Sequence, residues 1–131
     1  MQRSILKMWL KIRERKPRPM RTELLKTLIE GQDEKLKKEH CKGMEGLVSE
    51  AIKHTVEDAP ERGPVLDASI IGQYQRMTHY GITGFGTVAA FAKALKLTGD
   101  RAKLDSAVKD MYNTDELMSE LAESAVNVDA V

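Results

Sequence analysis

One carboxylate interrupts a line of apolar residues in the last third of this 131-residue chain. Leu104, Val108, Met111, Asp115, Met118, Ala122 and Ala125 recur at three- and four-residue steps, which places them on one face of a helix with Asp115 in the middle. A charged carboxylate removed from water is costly unless it is paired, ligates a metal, or shifts its pKa and stays neutral. Two chemistries meet that demand. Inward Asp, Glu and His from facing helices can hold metal ions in a helical bundle. Alternatively, Asp115 is an interior-edge residue hydrogen-bonded to Tyr80, Thr78 or water, and the spacing alone favours this plainer reading.

A second stripe precedes it: Ile71, Tyr74, Thr78, Gly81, Phe85, Val88, Ala92 and Leu95. Thr78 and Gly81 leave a small gap in that stripe, flanked by His79 and Tyr80. His79 is one position off the stripe and reads as a packing or surface histidine. His40 and His54 lack ligand spacing with any partner, and Met44, Met77, Met111 and Met118 read as core filler. Cys41 falls in a turn with nothing nearby to mark an activated nucleophile. The chain has no phosphate-binding P-loop, dinucleotide-binding glycine fingerprint, zinc-ligand spacing or nucleophile elbow.

The elements that must position these residues are helices. Residues 2–16 read as an amphipathic helix with Ile5, Met8, Trp9 and Ile12 on one face, ended by Lys16-Pro17-Arg18-Pro19. A second helix is expected from Met20 to Lys38, with Leu24, Leu25, Leu28 and Ile29 apolar and Gly31 weakening it. His40 to Gly43 reads as a turn, Met44–Glu57 as a shorter helix, and Asp58–Pro64 as a loop. Residues 65–97 form the next helix, in which Gly72, Gly81, Gly84 and Gly86 each cost roughly 1 kcal/mol relative to Ala, so close helix approach is expected there. Gly99 suits the end of that helix and Asp100 the N-cap of the last. A short connection between two long helices makes them antiparallel neighbours.

Composition agrees. Hydrophobic residues make up 41% and charged residues 31%, which is ordinary for one globular domain. The net charge is only +1, but residues 1–28 hold nine basic and two acidic residues, whereas residues 100–131 hold eight acidic and three basic. That asymmetry suits solvated helix faces better than a nucleic-acid-binding arm, since the basic stretch lacks interleaved aromatics. The single cysteine fits a reducing cytoplasm, and the apolar run near the start is too short for a signal peptide or a membrane span.

The stretch from His40 through Gly43, Met44, Glu45 and Gly46 to Ala51 resembles the YciE/YciF ferritin-like family. So do His79-Tyr80 followed by Gly86-Thr87, and Thr114-Asp115-Glu116-Leu117 running to Leu121-Ala122-Glu123-Ser124-Ala125-Val126-Asn127. The similarity is nearly continuous from residue 40 to 127. Arg3-Ser4-Ile5-Leu6-Lys7 is similar to the latter part of that family's first long helix, and the region around Gly31–Glu39 looks shortened. The resemblance implies a di-iron carboxylate bundle with a role in stress response. On the third helix the family pattern is Glu-His-Tyr-Glu, where this chain has Thr78-His79-Tyr80-Gly81. On the fourth, a Glu pair corresponds to Asp110-Met111 and the following Asp is kept as Asp115. The first-helix Glu falls on Gln2, and Glu30 or Glu34 corresponds to the second-helix acid.

The expected fold is thus an all-α, ferritin-like four-helix bundle in a single domain over residues 1–131. Its first helix is incomplete, residues 1–38 form a partial first hairpin, residues 39–64 a connection with a short extra helix, and residues 65–127 the second hairpin. Gln2, Thr78 and Gly81 are lost ligand positions, and Glu30, Asp110 and Asp115 are the remnants. The expected cofactor is none, with iron as the alternative. The expected protein is a cytoplasmic, stress-associated homodimer with a structural or interaction role and no membrane partner; a metal-dependent oxidase with substitute ligands is the first alternative, and nucleic-acid binding through the basic N-terminal segment the second.

Overall fold

The structure is a computed structural model that describes residues 19–35, 37 and 39–131. The expected first helix, the Lys16–Arg18 stretch of its stop signal, and Gln2 lie outside the described residues. Every regular element among the described residues is helical: α1 (Pro19–Glu30), α2 (Lys42–Ile52), α3 (Pro64–Ala94), α4 (Thr98–Leu121) and α5 (Asn127–Ala130), with π-helical turns at Lys53–Glu57 and Ala122–Val126. None of these helices is long and apolar enough to cross a membrane. The chain divides into two compact units, Met1–Lys38 and Glu39–Val131.

In the first unit, α1 opens on Pro19, whose missing N–H costs nothing in a first turn. The helix is shorter than expected. Gly31 N–H donates to Thr27 O at 3.0 Å, Gln32 and Asp33 fold into a turn, and Asp33 takes a left-handed φ of 59°. Glycine and a left-handed residue together stop the helix at Glu30 instead of Lys38. Leu24, Leu25, Leu28 and Ile29 are half-buried, and Glu30 is exposed.

In the second unit, α3 and α4 form the antiparallel hairpin expected from their short connection. Three cross-links fix the direction: Gly81 faces Met111, His79 meets Asp115, and Gln75 reaches Ser119. The core contains Ile71, Ile82, Ala89, Ala92, Leu104, Met111, Met118, Ala122 and Val126. The α4 stripe lies where the spacing put it. On the α3 stripe Ile71, Tyr74, Thr78, Gly81, Phe85 and Ala92 are buried or half-buried as expected and are joined by Gln75, Ile82 and Ala89; the correction falls on Val88 and Leu95, which are exposed at 46% and 67%. A helix of 3.6 residues per turn drifts against a seven-residue spacing, so toward the turn the buried flank passes from Val88 and Leu95 to Ala89 and Ala92.

The connection between these helices also differs from expectation. Gly99 is inside α4 and Asp100 in its first turn. The turn is made at Lys96, which holds φ 60° while its N–H donates to Lys93 O at 3.0 Å and Leu97 N–H donates to Ala92 O at 2.9 Å. This is a Schellman ending with lysine in the place usually given to glycine.

The short helix α2 continues through its π-helical turn to Glu57, as expected, and runs antiparallel along the first half of α3. Cys41 bonds Tyr80 near one end, and Ser69 Oγ donates to His54 O at 3.5 Å near the other. It starts at Lys42, two residues before the expected Met44, because the Cys41 thiol caps it. Beyond Tyr80, the face of α3 that α2 covers continues as Gly84, Val88, Phe91 and Leu95, all exposed.

Candidate functional site

The middle of the hairpin is where sequence and structure meet. Asp115 reaches its position because Leu104, Met111 and Met118 bury the same face of α4. Its side chain is 17% exposed, and Oδ2 lies 2.9 Å from His79 Nε2 across the hairpin, with His79 itself 57% exposed. Its protein partner is therefore His79, where the plainer reading expected Tyr80 or Thr78. The one-position offset that made His79 look peripheral lets its long ring reach around the edge of α3. Asp115 Oδ1 is buried and has no hydrogen-bond partner among the described residues. One turn along, Gln75 Nε2 donates to Asp115 O at 3.3 Å and to Ser119 Oγ at 2.9 Å.

The remaining candidates do not join them. Thr78 Oγ1 donates to Tyr74 O at 2.9 Å, within its own helix. Gly81 offers no side chain, and a Cβ there would stand 3.2 Å from Met111 Sδ. Of the four α3 glycines expected to permit close helix approach, only Gly81 has a neighbour at that distance; Gly72, Gly84 and Gly86 face open space. Asp110 is exposed on α4, and Glu30 belongs to the first unit. Among the described residues no three His, Cys, Asp or Glu side chains converge to hold a metal. Iron in a carboxylate centre needs several oxygen or nitrogen donors aimed at one point. One carboxylate, already engaged by histidine on one oxygen, does not fit a two-metal centre.

A second constellation was not legible as one. Cys41 is the N-cap of α2: its Sγ accepts from Met44 N–H at 3.4 Å and lies 3.1 Å from Tyr80 Oη. Beside it, His40 Nε2 and Glu45 Oε2 are 2.6 Å apart. Gly43 lets the ring come close: a Cβ here would stand 2.5 Å from Tyr80 Oη, so the tyrosine would have to move. The Tyr80 hydroxyl, helped by the backbone N–H groups of Met44 and Gly43, holds the Cys41 thiol below its ordinary pKa, and the thiol in turn pushes the tyrosine up. The thiolate fraction at neutral pH is raised accordingly. Tyr80→Phe is therefore expected to move the midpoint of the iodoacetamide alkylation rate against pH upward. A midpoint that stays or falls would show that the hydroxyl does not stabilise the thiolate. The only sequence signal was a cysteine directly before a helix-start pattern; Tyr80, 39 residues away, could not be paired with it by spacing.

The second unit thus defines a class: an all-helical protein centred on a long antiparallel hairpin, clasped by a histidine–aspartate pair and flanked by a short helix. The chain belongs to the family described as "Domain of unknown function (DUF892)", whose model matches residues 20–131. It is similar to Protein YciF of Escherichia coli (strain K12), 33% identical over 93 residues that cover 71% of this chain and 55% of that protein. The chain spans about half the length of this curated relative. No solved structure matches it significantly.

Proposed function

We propose that this chain is a ferritin-like helical scaffold of its family, with little or no di-iron activity, that acts through a structural or stress-associated interaction. The observation that carries the reading is the state of Asp115. The carboxylate kept on the inner face of α4 is spent on His79, while Asp110 is exposed and Thr78 is bonded to its own helix. Family membership supports the ferritin-like architecture and the stress association as proposals for this chain. Its place of action in this reading is the cytoplasm. Its active form in this reading is a homodimer.

The competing reading is a metal-dependent oxidase with substitute ligands, and the meeting of His79 with Asp115 is the observation in its favour. Anaerobic reconstitution with ferrous iron, followed by admission of oxygen, separates the two. The scaffold predicts far fewer than two irons per chain and no rapid oxidation. Uptake near two irons with fast turnover would replace it with the oxidase.

A further inference from the structure

The middle of the hairpin has three layers, and groups of the chain itself engage every polar atom described there except the buried Asp115 Oδ1. In the first, Met111 is 1% exposed and its sulfur lies 3.2 Å from where a Cβ at Gly81 would stand, closer than an ordinary side-chain contact. In the second, His79 holds one oxygen of Asp115 at 2.9 Å. In the third, Gln75 bridges to the Asp115 carbonyl and to Ser119. We propose that this centre is complete without a metal ion: the Met111 thioether seated on Gly81 takes the interior volume, and His79 takes the carboxylate oxygen a cation would need. This inference rests on the scaffold reading and adds how the interior is filled.

The chemistry of the donors supports it. A hard divalent cation is held inside a bundle where several protein oxygen or nitrogen donors converge on it. Entry here would gain the buried Oδ1 as one oxygen donor, and a second from Asp115 only if His79 left Oδ2. A thioether is a poor ligand for such ions. Gly81 and Met111 also depend on each other's size. A larger residue at 81 must displace a sulfur that has almost no solvent to move into, because Met111 is buried on all sides.

Two measurements test this on the whole chain. The first is thermal unfolding with EDTA, MnCl2 or ZnCl2, for the wild type and Asp115→Asn. A ligand held at about 100 times its Kd would raise Tm by several degrees. The expected result is no rise that depends on Asp115; a rise that persists in Asp115→Asn comes from another site and agrees with a closed centre. A saturable rise that Asp115→Asn abolishes would overturn the proposal. The second is a double-mutant cycle of Gly81→Val and Met111→Ala in urea. The double variant is expected to be more stable than the summed losses predict, since the shorter side chain vacates the space valine needs. Losses that simply add would overturn the socket. Metal bound at the centre without oxidation would sink this inference and leave the scaffold reading standing, whereas turnover would end both.

Discussion

Shortening Leu104 to alanine is expected to cost about 3–5 kcal/mol of stability, the upper range for truncating a core leucine. Leu104 is 1% exposed and lies near the turn end of α4, where Ala89 and Ala92 of α3 are also buried. Small alanines facing a leucine pack closely, and a helical hairpin anchored at a short turn has little freedom to collapse around a void. The loss would be a large share of the roughly 5–15 kcal/mol that holds an ordinary domain together. Urea unfolding should show it as a lower midpoint at unchanged slope. The control is Leu95→Ala: its side chain is 67% exposed, and the change should stay within about 0.5 kcal/mol. Equal losses at the two positions would mean that the α3 face bearing Leu95 is covered in solution.

His79→Ala has the second-largest expected effect, about 1–2 kcal/mol. It leaves both Asp115 carboxylate oxygens without a protein donor on a largely buried side chain, and stranding such a group costs about 1–3 kcal/mol. The lower part of that range applies because His79 is more than half exposed and water screens the pair. Asp115→Leu should cost much less. It removes the unpartnered Oδ1 along with the charge, and His79 returns to water. The asymmetry is the test: removing the histidine should hurt more than replacing the aspartate, and His79→Ala should become nearly harmless once Asp115 is leucine. The reverse order would mean that Asp115 contributes through contacts other than His79.

The α4 face was legible because its apolar residues recur without competition, and the single polar intruder, Asp115, was visible against them. The α3 face was only half legible. Gln75 looks too polar to face inward, yet it joins the half-buried Tyr74 there because the Asp115 carbonyl and Ser119 receive its amide. Val88 and Leu95 look like core by composition, but a helix packed on one side cannot bury two flanks at once. Asp115's partner was missed for a related reason. Helix periodicity assigns side chains to faces by their Cα positions, whereas a histidine ring reaches several ångströms beyond its own face. The helix start at Lys42 was missed because a thiol is an uncommon cap, and its second partner, Tyr80, comes from another helix. The end of α1 was misplaced because the apolar run before Gly31 gives no sign that Asp33 turns left-handed.

The partial cover that α2 gives to α3 has a consequence for how the native state breathes. Along residues 69–80, α3 is held on one side by α4 and on another by α2 and its π-helical turn. From Gly84 onward, four successive positions of the same face are exposed, and the helix ends on a lysine held in a conformation that disfavours it. The free energy of local opening follows such differences in packing. Amide protection in this hairpin therefore falls from the His79–Asp115 clasp toward the turn. Its turn end is the more fluctuating part, although it lies mid-sequence and far from either terminus.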